Sequence, residues 1–159
     1  MSDKRTSQDL LVRRLRSGDQ DDICDHLLQL DVQARRARFC GAVSDDAVLR
    51  YARKVLRYDN IACGAFVGGA LRGLVELSGL FHSWSSKTEA AFSVEAEWQN
   101  IGIGDALFEQ MLAMAQNRGV RTIRMTCLKQ NSRMRHLAAK HNAQLVVDTD
   151  NAEAVLRPS

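Results

Sequence analysis

Apolar residues along this chain recur in two rhythms, short alternating or continuous runs and longer stretches at three- and four-residue spacing, and their order predicts an architecture. Residues 10–16, with Leu11, Val12 and Leu15, read as a first strand that ends at Ser17-Gly18-Asp19. Residues 21–30 place Ile23, Leu27, Leu28 and Leu30 at helical spacing, with acids in the first turn where they suit the helix dipole. Ser44-Asp45-Asp46 resembles an N-cap, and Val48, Leu49, Ala52, Val55 and Leu56 predict a second helix to about residue 57. Between them residues 31–43, with Arg35, Arg36 and Arg38 beside Phe39, lack a period and are expected as a loop. Residues 61–67 and 71–80 are β-prone runs around Gly68-Gly69-Ala70, whose glycine pair permits the positive φ of a hairpin turn. A fourth strand at 88–94 leads to a helix at about 105–118, with Leu107, Met111, Met114 and Ala115 on one stripe and Gly119 as C-cap. A strand at 122–128, a helix at 132–141 ending at Asn142, and a hairpin of 145–147 with 152–156 complete the series.

Hairpins followed by strand, helix, strand, helix and strand predict one α+β domain over residues 1–159: a mixed, mostly antiparallel sheet of about seven strands with helices on both faces. A chain of this length buries most of its apolar surface in a single core.

The joint between the fourth strand and the following helix, Gln99-Asn100-Ile101-Gly102-Ile103-Gly104, carries the candidate chemistry. Two glycines one residue apart let the backbone turn unobstructed, and the helix then presents unpaired N–H groups and the positive end of its dipole. Such a corner suits a phosphate, although a tight structural turn would use the same residues. It is not the Gly-x-x-x-x-Gly-Lys-Ser/Thr loop, and no third glycine follows at dinucleotide-fold spacing.

The pattern Gln/Arg-x-x-Gly-x-Gly/Ala resembles the acetyl-coenzyme A loop of the GNAT superfamily of N-acetyltransferases. The resemblance covers roughly residues 60–147, including the strand before Val94, the helix after the glycines and Asn131-x-x-Met134-x-x-Leu137. It implies that the main chain of Phe92, Ser93 and Val94 pairs with the pantetheine arm while the amides of Gln99, Asn100, Ile101, Gly102, Ile103, Gly104 and Asp105 hold the pyrophosphate. Val94 or its neighbour would donate its N–H to the thioester oxygen, and Asn131 would contact the cofactor or a water near its sulfur, unless it only caps a helix. Asp105 departs mildly from the pattern, since a carboxylate repels pyrophosphate, and is expected to point away. The expected co-substrate is acetyl-coenzyme A, with no metal.

Two departures concern catalysis. Ala138 stands where many members have a tyrosine that protonates the leaving sulfur; with a thiol pKa of about 8.5 the thiolate already leaves adequately. On the fourth strand, Thr88 and Ala90 occupy the face where a base is often found, and Glu89 lies on the other. Glu76, sharing its face with Leu74 and Ser78, is the remaining candidate base against the reading of an ordinary strand glutamate; His82 is weaker. Keeping a lysine amine neutral at pH 7 costs roughly 4.6 kcal/mol and an α-amine about 1, so a poor base suits a low-pKa amine.

Composition narrows the class. Hydrophobic residues at 45% and charged at 26% are ordinary for a soluble protein, and no apolar run approaches a membrane span. The polar start without a signal region predicts a cytoplasmic protein. Cys24, Cys40, Cys63 and Cys127 are scattered and expected as buried thiols. A net charge of +3 spread along the chain does not call for nucleic acid. The reading is an enzyme moving an acetyl group from acetyl-coenzyme A to a primary amine of a small molecule, peptide or protein by direct attack. An acyl-coenzyme A sensing module without turnover and a transferase of longer acyl groups stay open, as does a homodimer. The loop at 31–43 would wall the acceptor site or simply be solvated. Arg38-Phe39 with Val43-Ser44 faintly resembles bacterial protein-lysine acetylation domains, too briefly to name the acceptor.

Overall fold

A computed structural model describes residues 10–57, 60–79, 87–125, 131–147 and 152–156. Strands β1 (Leu10–Arg14), β2 (Ile61–Val67), β3 (Ala70–Ser78), β4 (Lys87–Val94), β5 (Thr122–Met125), β6 (Gln144–Val147) and β7 (Ala152–Leu156) form one sheet in the order β1-β2-β3-β4-β5-β7-β6. The pairing is antiparallel except between β4 and β5, where Lys87 to Ala90 run parallel to Thr122 to Met125. The sheet is therefore mixed, with helices on both faces. Gly68 and Gly69, at φ 59° and 85°, make the two-residue β2–β3 turn that the glycine pair predicted.

Side chains alternate across β2 and β3, and each face has its own core. On one face Ala62, Phe66, Leu71 and Leu74 pack against α1 (Gln20–Gln29) and α3 (Asp45–Ala52) through Ile23, Leu27, Val48 and Ala52. On the other Cys63, Ala65, Val75, Leu77, Ala90 and Phe92 pack against α4 (Ile103–Asn117). Gly73 is where α4 comes closest: a Cβ there would stand 2.6 Å from Ile103 Cγ2. The helix α5 (Ser132–Lys140) adds Ala138, fully buried, to this second core.

The expected loop at 31–43 contains a helix, α2 (Val32–Phe39). Its period was silent because it buries no residue completely, and Val32 is 71% exposed. It is held instead by polar groups. Asp31 caps it by accepting from Ala34 N at 2.7 Å, and Arg35 donates to Leu28 O at 2.9 Å and Asp45 at 2.7 Å. Other boundaries shift modestly. The second predicted helix stops at Ala52, α4 starts two residues earlier than expected, and Gly119 and Asn142 take the left-handed φ foreseen for them.

The cysteines follow the expectation of buried thiols only in part. Cys63 is buried, and desolvation pushes its thiol up to about 11; Cys24 is half-buried, and Cys40 is exposed and disulfide-bonded. Cys127 and His82 lie outside the described residues. No helix among the described residues is long and apolar enough to cross a membrane.

Candidate active site

A cleft of about 950 Å³ opens where β4 ends, between the start of α4, the start of α5 and the inner side of α2. One wall is made of main chain. Glu95 N donates to Arg72 O at 3.2 Å, toward β3. Since amides alternate sides along a strand, the N–H of Val94 faces the opposite edge, where Phe92, Ser93 and Val94 line the cleft. The carbonyl on that edge is already engaged, because Gln99 Nε2 donates to Val94 O at 3.0 Å. The strand edge thus offers its donor at Val94.

The glycine corner continues this wall. Asn100 and Gly102 take φ values of 64° and 92°, the second as N-cap of α4. A side chain at Gly102 would meet nothing within 4 Å, so glycine is required there by φ rather than by crowding. Gly104 has ordinary helical φ, and its Cβ would lie 3.3 Å from Leu137 Cδ2, so its small size serves the approach of α5. Intrahelical bonding begins with Ala106 N to Gly102 O at 3.1 Å, which leaves the amides just before Ala106 to face the helix entrance.

Most of the residues predicted for the cofactor meet here. Phe92, Ser93, Val94, Gln99, Asn100, Gly102, Gly104, Asp105 and Asn131 all line the cleft, whereas Ile101 and Ile103 pack into the α4 core and have only main chain to offer. Phe92 turns its ring inward, stacked on Phe108 at 5.4 Å. Asn131 accepts from Met134 N at 3.1 Å and so caps α5 while bordering the cleft. Asp105 does not simply point away. It borders the cleft, and Lys140, donating at 3.0 Å, holds its carboxyl below the usual range with help from His141. Lys140 and Arg133 add positive charge beside the corner.

The opposite wall is made of side chains from distant parts of the sequence. Arg38, on α2, lines the cleft and reaches Glu76 on β3 at 2.8 Å, while Tyr51 of α3 donates to the other oxygen of Glu76 at 2.5 Å and itself accepts from Arg38. Glu76 was expected as a base facing the cleft. It is only 6% exposed, both its oxygens are engaged, and it does not border the cleft. Burial opposes charge on Arg38, but Glu76 outweighs it and raises its pKa; burial and the Glu76 charge raise the Tyr51 phenol well above its usual range.

A second buried chain adjoins the first. Ser93 Oγ lies 2.9 Å from His26 Nε2, His26 Nδ1 lies 2.9 Å from Glu95 Oε2, and Arg72 donates to Glu95 Oε1 at 2.9 Å. Neither His26 nor Glu95 was singled out from sequence. The available signal was small: a histidine on the apolar stripe of a helix, one position before Leu27. Among the described residues no group of three or more His, Cys, Asp or Glu could hold a metal ion.

The pattern of the acetyltransferase (GNAT) family matches residues 21–143. Among solved structures, the GNAT domain of S. lividans PAT is 19% identical, covers 92% of this chain and 89% of its own, and has a TM-score of 0.78. The PaiA N-acetyltransferase from Thermoplasma acidophilum, in complex with coenzyme A, is 17% identical over 93% of this chain and 98% of its own, with a TM-score of 0.69. The putative acetyltransferase yncA from Salmonella typhimurium, with its cofactor acetyl-CoA, is 16% identical over 96% of this chain and 95% of its own, with a TM-score of 0.72. No curated protein sequence matches the chain.

Proposed function

The chain belongs to the GNAT acetyltransferase family, and from that premise we propose that it transfers an acetyl group from acetyl-coenzyme A to a primary amine by direct attack. The observation that carries the reading is the open edge of β4: a strand end with the Val94 N–H facing a cleft, followed at once by the positive-φ turn and free amides of α4. The residues fit the cofactor. Main chain of Phe92 to Val94 would pair with the amide-bearing arm, as an added strand does. Amides of Gln99 to Asp105 at the positive end of α4 would hold the pyrophosphate, with Lys140 and Arg133 nearby. When bound, the co-substrate supplies an electrophilic thioester.

The chain's own contribution is positioning and polarisation. Val94 N–H would stabilise negative charge developing on the carbonyl oxygen, an interaction that strengthens as the reaction proceeds. Asn131 fixes the start of α5 and borders the same space. Glu76 serves in this proposal as the anchor of Arg38 and α2, which wall the acceptor side, because its engaged oxygens leave no free base. Ala138, fully buried on α5, cannot protonate the leaving group, which departs as thiolate.

The test is a screen of small amines, peptides and proteins with acetyl-coenzyme A, scored by free thiol. Release that requires an amine and rises with pH supports transfer; acetyl-coenzyme A binding with only amine-independent hydrolysis would favour a sensing module. The acceptor wall favours an acceptor bearing a low-pKa amine, since among the described residues the one carboxylate that borders the cleft on that side is Asp31, which already accepts from Ala34 N.

A further inference from the structure

We propose that Ser93, His26 and Glu95 form a proton relay that accepts the proton of the attacking amine; this rests on the acetyl-transfer reading above and supplies the base that β3 and β4 lack. Ser93 is the member that touches the cleft, and it sits on β4 immediately before Val94, the oxyanion donor. His26 acts through it. The histidine is 1% exposed on α1, with both ring nitrogens in hydrogen bonds of 2.9 Å.

The polarity of the chain follows from its far end. Glu95 receives Arg72 on one oxygen, and as a carboxylate it only accepts. His26 Nδ1 must therefore carry the proton that it shares with Glu95, which leaves Nε2 as an acceptor and makes Ser93 Oγ–H the donor. A hydroxyl bonded in this sense has a proton acceptor behind it, on a residue that lines the cleft. The arrangement parallels the serine, histidine and carboxylate order of hydrolytic enzymes, with Ser93 passing a proton rather than attacking.

The step balances. The amine lone pair forms the N–C bond, the C–S bond breaks and its electron pair leaves with sulfur. The amine proton moves to Ser93 Oγ as the Ser93 proton moves to His26 Nε2, and Glu95 faces the resulting imidazolium. The proton then returns by the same path to the thiolate, which restores the resting chain. Burial alone does not explain this histidine, because a packing role at this apolar position needs no Glu95, and a buried carboxylate is costly unless it is paired.

The titratable groups that face His26 are Glu95 directly and Arg72 behind it. The Arg38–Glu76–Tyr51 cluster shares the same sheet face, Glu76 being paired across the ladder with Ala91, two residues before Ser93.

The experiment uses the full chain, the acceptor amine found by the screen, and Ser93→Ala, with His26→Gln as a second variant. Ser93→Ala should lower amine-dependent kcat by about 10²-fold at pH 7, the range of general-base catalysis, with acetyl-coenzyme A affinity by calorimetry unchanged. The deficit should shrink as pH approaches the amine's own pKa. Long-range proton–nitrogen NMR of the free protein should show His26 as the Nδ1–H tautomer, a readout that needs no turnover. Wild-type rates in a folded Ser93→Ala, a deficit equal at all pH values, an Nε2–H tautomer, or an acetyl ester on Ser93 by intact mass would each overturn the relay. A wild type inert toward every amine would instead sink the acetyl-transfer reading, and the relay with it; turnover retained in both variants would sink the relay alone.

Discussion

The two walls of the cleft are built from different material. The β4–α4 wall offers backbone: the Val94 edge, the left-handed turn at Asn100 and Gly102, and the amides that open α4. The α2 wall offers side chains, and two buried polar chains behind the cleft link β3 and β4 to three helices. A backbone wall presents the same groups whatever the neighbouring side chains are, and so suits a ligand whose phosphates and amides are invariant. A side-chain wall is specific to its residues and holds charge out of water. It is expensive to disturb, because removing one partner strands the other.

Five single substitutions, one of them followed through acid unfolding, break or sharpen this contrast. The largest effect is expected at the buried pair. Arg38→Met leaves Glu76 buried with Tyr51 alone and should cost about 3–5 kcal/mol of stability by denaturant unfolding, with much of it regained in the double variant Arg38→Met/Glu76→Leu. Glu76→Gln refines the result: a stability loss with an unchanged pH–rate profile keeps Glu76 as an anchor, and a rate deficit that closes at high pH would return it to the role of base.

The backbone wall should fail by strain. Gly102→Val places a β-branched residue at φ 92°, at a cost of roughly 1–3 kcal/mol, and should weaken acetyl-coenzyme A binding about tenfold or more while circular dichroism stays near wild type. Unchanged affinity in a folded variant would remove the corner from the site.

Asp19 lies outside both walls and serves as a control on electrostatics. Arg13 donates to both of its oxygens at 2.8 and 2.9 Å, and the Arg16 amide adds a third bond, which together hold its carboxyl down at about 2. A depressed folded pKa stabilises above the unfolded value near 3.9 and is lost as pH falls through the folded one. Acid unfolding between roughly pH 4 and 2 should therefore be softened in Asp19→Asn, which already lacks about 1–2 kcal/mol at neutral pH. The smallest effect is expected at Gly104→Ala. Its Cβ would press on the end of a flexible leucine at 3.3 Å, so a change under about 1 kcal/mol in stability and little change in affinity should separate it from Gly102.

Much of the backbone wall could be read along the chain. Gly68-Gly69 fixed a hairpin, the stripe of Leu107, Met111, Met114 and Ala115 fixed the buried face of α4, and Gly102 marked the positive φ at its N-cap. These features are local: a turn, a period and a cap each depend on residues a few positions apart, so the order of amino acids contains them. Gly104 shows the limit even there, since its reason is Leu137 on another helix.

The side-chain wall was not legible in that way. Arg38 and Glu76 are 38 positions apart, Tyr51 and Glu76 are 25 apart, and His26 stands 67 and 69 positions from Ser93 and Glu95. Sequence alone determined that this chain makes a mixed α+β sheet with a phosphate-suited corner, because periodicity and glycine placement act over single turns and strands. Only the tertiary structure decided that α2 is a helix, that Glu76 is bound rather than free, and that a histidine on α1 stands behind Ser93. The docking of α1, α2 and α3 onto β3 and β4 brings together charges that no local interaction links, and their mutual stabilisation exists only once water has been excluded between them.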